Sequence, residues 1–449
     1  MARRYFGTDG IRGRANVPPL DASSVLRLAV AAADALSAEA GGRVLIGRDT
    51  RASCDMIEAA LIAGLTSIGL RVDVLGVLPT PGVAAMVADL NAEFGIMISA
   101  SHNGFRDNGL KLFGRDGFKL SDAEEAEIEA RLDGPPARAP VPAEEIGAVV
   151  HRRDAPARYV EHALASLPEG LSLEGRRIVV DAAHGAAHEV APMLLGELGA
   201  DVTCLGTSPN GKNINDGVGS THTEALRARV VETGADLGLA LDGDADRLIV
   251  VDETGNELDG DQILGLIAGQ WHAEGRLNQA TVVSTVMSSL GFEWHLAEQG
   301  VSLLRTPVGD RHVVAEMRAT GANLGGEPSG HIVMTDHATT GDGLVAALQV
   351  LAAARARGGP LSRAAHVFDP VPQRMVNLPF YGDDPLDSEA VQSTLVAVRH
   401  RLGDRGRLVV RQSGTEPLIR VMAEALTREE MDAALEDLAT AIRSQTSLA

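Results

Sequence analysis

Arg43-Val44-Leu45-Ile46, a helix-forming run over residues 54–68, and then Arg71-Val72-Asp73-Val74-Leu75 make up the stretch that decides the fold. Short runs rich in Val, Ile and Leu read as buried strands, and the segment between them is long enough for a helix. Strand, helix, strand in that order is the building unit of an α/β sheet. The pattern recurs at residues 177–181, 187–198 and 201–205, and strand-like runs return at 280–284 and 301–304. Three such units predict three related α/β domains, although identity among them is too weak to count as a repeat.

Two composition shifts mark domain borders. Gly134-Pro135-Pro136-Ala137-Arg138-Ala139-Pro140-Val141-Pro142-Ala143 reads as a proline-rich surface connector, and Gly358-Gly359-Pro360 through Pro370-Val371-Pro372 sets off a last segment. That segment predicts a strand over 406–410, a polar loop, a second strand over 418–423 and a closing helix from about 428. A softer border falls at the turn Asp252-Glu253-Thr254-Gly255-Asn256. The expected domains are residues 1–150, 151–254, 255–367 and 368–449: three related mixed α/β domains plus a C-terminal α+β cap around a central cleft.

Bulk properties narrow the function. The chain has 449 residues, which at ~150 per domain suggests about three or four domains. Its 45% hydrophobic and 22% charged residues fit a globular protein, and only 3% are aromatic, so the cores rest on Ala, Val, Leu and Ile. A net charge of −21 argues against a nucleic-acid surface. An anionic small molecule is still admitted, because clustered Arg and Lys dominate the field inside a cleft. Cys54 and Cys204 are the only cysteines, too few for a disulfide framework. No signal core or apolar run of membrane-spanning length occurs, so the expectation is a cytoplasmic protein with no membrane partner.

Chemistry concentrates in a few loops. In Gly95-Ile96-Met97-Ile98-Ser99-Ala100-Ser101-His102-Asn103-Gly104 an apolar strand ends in small and polar residues that present Ser101. A serine so placed suits a nucleophile or a phosphoryl carrier, and an Asn-Gly turn is the plainer alternative. Asp107-Asn108-Gly109 follows, with Lys111 ten residues after the serine. Asp242-Gly243-Asp244-Ala245-Asp246-Arg247 ends a buried strand with three carboxylates at alternate positions, which repel unless a hard cation joins them. An EF-hand does not fit, since its turn-glycine position is Arg247 and a strand follows.

Arg411-Gln412-Ser413-Gly414-Thr415-Glu416-Pro417, with Arg420 beyond, has the hydroxyls, glycine amide and guanidinium forks of a phosphate clamp. Gly325-Gly326-Glu327-Pro328-Ser329-Gly330-His331 offers Glu327 and Ser329 to sugar hydroxyls and His331 for proton transfer. Phe6-Gly7-Thr8-Asp9-Gly10-Ile11-Arg12-Gly13 and Gly47-Arg48-Asp49-Thr50-Arg51-Ala52-Ser53 read as two further loops whose Arg12 and Arg48 face an anion.

In this order, and over essentially the whole chain, these motifs resemble those of the α-D-phosphohexomutase family. The segments 213–222 and 308–311 resemble its branch acting on glucosamine phosphates rather than the phosphomannomutase/phosphoglucomutase branch, which is the alternative. The resemblance implies that Ser101 carries a phosphoryl group and completes a site for one Mg²⁺ with Asp242, Asp244 and Asp246. It implies interconversion of glucosamine 6-phosphate and glucosamine 1-phosphate through a bound glucosamine 1,6-bisphosphate that reorients. The product would feed UDP-N-acetylglucosamine and cell-wall precursors.

Lys111, His331 and Arg12 would then be catalytic. His102, Asn103, Arg247, Glu327 and Ser329 would bind substrate, and Arg411, Ser413, Gly414, Thr415 and Arg420 would hold the non-reacting phosphate. The implied partner is a phosphosugar, with a homodimer as the candidate assembly. Two departures stand out: Thr306-Pro307-Val308 lies where many relatives carry a lysine, and Pro328 where glutamine is common. A serine hydrolase is disfavoured by the lack of a G-x-S-x-G elbow. A non-catalytic phosphosugar sensor would have lost Ser101 or the aspartates, and all are present.

Overall fold

Strand Arg43–Arg48 runs between two parallel neighbours, Phe94–Ile98 and Arg71–Val77. Val44, Leu45 and Ile46 are fully buried, as expected of a strand covered on both faces. The computed structural model describes residues 4–135, 138–168, 170–380, 384–412 and 417–445. Around this core lies a seven-stranded sheet in the order Phe6–Gly7, Gly10–Arg14, Asp107–Phe113, Phe94–Ile98, Arg43–Arg48, Arg71–Val77, Val149–His151.

Helices Ala22–Ala35 and Cys54–Ser67 pack against each other and share the apolar core of this sheet. Small residues let them approach: a Cβ on Gly64 would lie 2.7 Å from the Leu26 carbonyl oxygen. Helix Ala22–Ala35 begins at Asp21, whose carboxylate accepts hydrogen bonds from the amides of Ser23 and Ser24.

Two segments differ from expectation. Residues 6–13 are not a loop, because Phe6–Gly7 and Gly10–Arg14 pair as a hairpin that extends the sheet. Residues 107–113, given no secondary structure from the sequence, form a strand antiparallel to both Phe94–Ile98 and Gly10–Arg14. Strand Asp107–Phe113 is paired on both sides and buried over most of its length, so ladder pairing and burial place a strand where the sequence lacks a clean apolar alternation.

The second sheet has the order Glu257–Leu258, Leu248–Asp252, Leu237–Leu241, Arg177–Asp181, Asp201–Leu205. Leu237–Leu241 is buried along its length, parallel to Arg177–Asp181 and antiparallel to Leu248–Asp252. A third sheet runs Ser302–Thr306, Thr281–Thr285, Leu324–Gly326, Ile332–Met334. Helices Gly260–Ala273 and Asp310–Thr320 pack against Leu324–Gly326. The architecture is α/β, with three α/β sections each on its own sheet and an α+β section at the C-terminal end.

The chain divides into two compact units, Met1–Thr285 with Leu304–His366, and Val286–Leu303 with Val367–Ala449. In the second, Leu418–Ala425 lies between antiparallel neighbours Gln373–Pro379 and Gly406–Gln412. Helices Glu389–Leu402 and Arg428–Gln445 join the apolar cluster of this sheet through Val391, Leu395, Leu435 and Leu438. Helix Leu290–Glu298 belongs to the same unit. The fully buried Glu424 carboxylate accepts from the Leu290 amide at 2.7 Å and the Ser289 hydroxyl at 3.0 Å, and pairs with Arg407 at 2.8 Å. An acidic group at the first turn of a helix complements its dipole. Among the described residues, no helix is long and apolar enough to cross a membrane.

Candidate active site

Strand Phe94–Ile98 delivers Ser101 to the end of the first sheet, and the antiparallel pair Leu237–Leu241 and Leu248–Asp252 delivers residues 242–247 from the second. The Ser101 hydroxyl donates a 2.5 Å hydrogen bond to Asp242 Oδ2, and Ser101 is 1% exposed. His102 Nδ1 lies 3.3 Å from the same hydroxyl. Burial, with Arg247 and Arg12 nearby, lowers the His102 pKa to about 4, which keeps that ring neutral at pH 7. The Asn103 side-chain amide, expected to meet substrate, donates to Asp107 Oδ2 at 3.2 Å.

Asp242, Asp244 and Asp246 are all buried, and one carboxylate oxygen from each lies within 4.8 Å of the others. Burial and the two neighbouring carboxylates push the Asp242 pKa well above the usual range. Asp244 Oδ1 and Asp246 Oδ1 are buried without a hydrogen-bond partner among the described residues. All-oxygen donors, crowded charge and two unpartnered oxygens fit a hard divalent cation. Thr80 fixes this loop twice, its hydroxyl donating to Asp244 Oδ2 at 2.5 Å and its amide to the Asp244 carbonyl at 3.0 Å.

Lys111 reaches the triad from strand Asp107–Phe113, with Nζ 2.8 Å from both Asp244 Oδ2 and Asp246 Oδ2 and 3.2 Å from Asp9 Oδ2. Burial disfavours its ammonium form, but the three carboxylates outweigh this and raise its pKa well above the ordinary value. Asp9 also pairs with Arg12 and, at 2.5 Å, with Lys119, which in turn pairs with Asp310. His331 is buried, with Nε2 3.6 Å from Asp310 Oδ2 and 3.8 Å from Asp246 Oδ2. A chain of alternating charge thus runs from the metal loop through Lys111, Asp9 and Lys119 to Asp310 and the glycine-rich histidine loop.

Glu327 Oε1 accepts from the Gly309 amide at 3.0 Å, and Ser329 Oγ lies 3.4 Å from Glu327 Oε2. Arg247 has its pKa raised: burial opposes its charge, but Asp242, Asp246 and Glu327 overcome it. Arg48, expected to face an anion, instead pairs with Asp55 at 2.8 Å and Glu58 at 3.4 Å. In segment 308–311, Arg311 donates to the Thr8 carbonyl, Asp122 and both oxygens of Glu125.

In the second unit, Arg411 and Arg420 face each other across paired strands. Ser413, Gly414 and Thr415 lie outside the described residues. The structure therefore brings together Ser101, His102, Lys111, the three aspartates, Arg12, Arg247, Glu327, Ser329 and His331 within the first unit. Sequence reading missed Thr80, Lys119 and the linking roles of Asp9 and Asp310. Asp9 and Asp310 stood inside quoted motifs, whereas Thr80 carries no local signal because its partner lies 164 positions away.

The chain matches four domains of one family in succession. These are the phosphoglucomutase/phosphomannomutase alpha/beta/alpha domains I, II and III over residues 3–137, 157–255 and 259–371, and the C-terminal domain over 374–441. It is 52% identical over 449 residues to the phosphoglucosamine mutase of Hyphomonas neptunium, covering 98% of each chain. It is also 52% identical over 446 residues to that of Novosphingobium aromaticivorans, covering 99% of each.

Among solved structures, a phosphoglucomutase/phosphomannomutase family protein from Burkholderia thailandensis superposes with a TM-score of 0.83 at 24% identity, over 98% of this chain and 97% of that one. The N-acetylphosphoglucosamine mutase of Aspergillus fumigatus, in complex with GlcNAc-6P and magnesium, gives a TM-score of 0.67 at 19% identity, over 99% and 96% of the two chains. A complex of that enzyme with glucose 1,6-bisphosphate gives 0.64 at 18% identity, over 99% and 95%. At these identities the structural likeness speaks to fold.

Proposed function

The chain belongs to the phosphoglucomutase/phosphomannomutase family, and from that premise we propose that it interconverts glucosamine 6-phosphate and glucosamine 1-phosphate. The observation that carries the reading is the 2.5 Å hydrogen bond from the Ser101 hydroxyl to Asp242, at the mouth of a buried three-aspartate cluster. Relatives about half identical over nearly the whole chain supply the choice of sugar.

In this reading Ser101 Oγ carries the phosphoryl group and passes it to the free hydroxyl of the bound monophosphate. The resulting glucosamine 1,6-bisphosphate turns round, and its other phosphate returns to Ser101. Asp242, Asp244 and Asp246, with Ser101, would hold one Mg²⁺ per chain, which when bound supplies charge neutralisation for the transferring group. Phosphoryl transfer asks the protein mainly for positioning and electrostatics. Arg12 and Arg247 serve the charge. Lys111, its ammonium held against Asp244, Asp246 and Asp9, brings positive charge to the triad beside Ser101 and is the general acid/base candidate that the family resemblance implies. His331 is suited to accept the sugar hydroxyl's proton, since neither ring nitrogen is hydrogen-bonded among the described residues.

Glu327 and Ser329 bind sugar hydroxyls, with His102 and Asn103 beside the transferring group. Arg411, Ser413, Gly414, Thr415 and Arg420 hold the phosphate that is not reacting. We assign four functional domains at residues 1–150, 151–254, 255–367 and 368–449, and a cytoplasmic location, because charged phosphosugars do not cross membranes unaided. A coupled assay comparing glucosamine, glucose and mannose 6-phosphates tests the proposal. The highest kcat/KM belongs to glucosamine 6-phosphate, by about 1–3 kcal/mol. A preference for glucose or mannose phosphate would move the chain to the other branch of the family.

A further inference from the structure

Ser101 has a backbone φ of 51°, in the left-handed region that favours glycine. A non-glycine residue persists there only where its surroundings hold it. Its surroundings do so through two buried side chains, Arg51 and Asn215. Arg51 is 1% exposed and uses its whole fork: Nε donates to Asp49 Oδ2 at 2.8 Å, and Nη1 to the carbonyls of Gly104 at 2.6 Å and Asp107 at 3.1 Å. Nη2 donates to the carbonyls of Ser101 at 2.8 Å and Asn103 at 2.9 Å. Four carbonyls of one seven-residue loop thus converge on a single guanidinium, whose charge is balanced by the fully buried Asp49.

The connection that follows strand Asp201–Leu205 grips the same loop. Asn215 Nδ2 donates to the Ser101 carbonyl at 2.9 Å and the Asn103 carbonyl at 3.0 Å, so each of these oxygens accepts two hydrogen bonds. Asn215 is held in turn, its amide donating to the Ala183 carbonyl at 2.9 Å. Beside it, Thr50 Oγ1 donates to the His184 carbonyl at 2.5 Å. Neither Arg51 nor Asn215 approaches the Ser101 hydroxyl. Both act on the carbonyls that set where that hydroxyl points.

We propose that Arg51 and Asn215 are positioning residues that clamp the Ser101 loop in the strained backbone geometry from which the hydroxyl exchanges a phosphoryl group. The clamp rests on the reading of Ser101 as phosphoryl carrier. It gives segment 213–222 a role in aligning the nucleophile with the metal loop. Because a small shift at a reacting atom costs rate more than binding, the clamp acts on phosphoryl transfer and leaves phosphosugar affinity nearly unchanged.

The test uses the full chain and the variants Asn215→Ala, Asn215→Asp and Arg51→Lys. Phosphate-free protein is mixed with Mg²⁺ and glucose 1,6-bisphosphate, and phosphate gained at Ser101 is followed by intact and peptide mass. Asn215→Ala is expected to gain phosphate about tenfold more slowly or worse, with KM for glucosamine 6-phosphate within about threefold. Asn215→Asp, which sets a carboxylate against two carbonyls, is slower still. Arg51→Lys keeps the charge but loses the fork, and does not rescue the rate. Amide hydrogen exchange over residues 99–104 rises in each variant while the rest of the chain is unchanged. Asn215→Ala phosphorylation within about twofold of the unsubstituted rate, in a folded protein, overturns the clamp. So does a KM that rises as kcat falls. If Arg51→Lys does not fold, the neutral Asn215 variants decide alone. If the unsubstituted protein gains no phosphate on Ser101, the phosphoryl-carrier reading itself fails, and the clamp falls with it.

Discussion

The carbonyl of Ser101 and the α-carbon of Gly243 meet so closely that a Cβ at residue 243 would stand 2.6 Å from the carbonyl oxygen. Glycine at this point lets the metal loop lie directly on the serine loop. Gly243→Ala therefore forces backbone apart at the place where Ser101 meets Asp242. Steady-state kinetics are expected to show kcat reduced about tenfold to hundredfold with KM little changed. A folded Gly243→Ala protein with full kcat would refute the close approach.

The aspartate cluster predicts that the protein needs a divalent cation. Chelation is expected to abolish turnover and added Mg²⁺ to restore it, while Asp244→Asn weakens Mn²⁺ binding in an EPR titration. Thr80→Val removes the hydroxyl that holds Asp244 Oδ2 and should weaken the ion about tenfold, the usual cost of losing a supporting hydrogen bond. Unchanged Mn²⁺ affinity in Asp244→Asn would remove this residue from the donor set.

Much of the frame was legible in the sequence, for identifiable reasons. Strands Arg177–Asp181 and Asp201–Leu205 have the predicted bounds; the first is a dense apolar run buried over residues 178–181, and the second, largely half-buried, is aligned by parallel pairing with it. Strand Gln373–Pro379 and helix Glu389–Leu402 went unread: the strand is largely exposed, and the helix buries only Val391, Leu395, Val398 and Leu402. Motif composition marked the loop 47–53 as functional but chose Arg48. Which of two arginines three positions apart turns inward depends on the strand-to-helix bend, and the structure selects Arg51. Ser101 and Asp242 lie 141 positions apart, so only the family resemblance joined them before the fold did.

The second unit carries its own prediction. Arg411 and Arg420 are directly opposed on antiparallel strands, and burial together with Arg420 lowers the Arg411 pKa. Two like charges held side by side favour a phosphate dianion between or beside them. Arg420→Ala is expected to raise KM for glucosamine 6-phosphate about tenfold or more, since hydrogen bonds to charged groups contribute roughly 1.5–3 kcal/mol. An unaltered KM would take Arg420 out of the phosphate site.

Stability against pH offers a check remote from the chemistry. Hydrogen bonds from Ser23 and Ser24 lower the Asp21 pKa from 3.8 to about 2. A depressed folded-state pKa means that the stabilisation is complete above the unfolded value of 3.8 and is lost as pH falls through about 2. Asp21→Ala should cost about 1 kcal/mol at pH 7. In urea titrations the difference should stay flat down to about pH 5 and shrink in stronger acid. A difference that grows on acidification would contradict the capping role.

A single-turnover experiment decides whether Ser101 carries the phosphoryl group between the two positions of the sugar. Enzyme labelled with ³²P-phosphate is mixed with unlabelled glucosamine 6-phosphate in the presence of Mg²⁺, quenched over time, and digested. Label is expected to begin on the peptide containing Ser101, to move to glucosamine 1,6-bisphosphate and then to monophosphate, while Ser101→Ala takes up no label and turns over almost nothing. Label on another residue, or a Ser101→Ala enzyme with near-normal turnover, would contradict the carrier role.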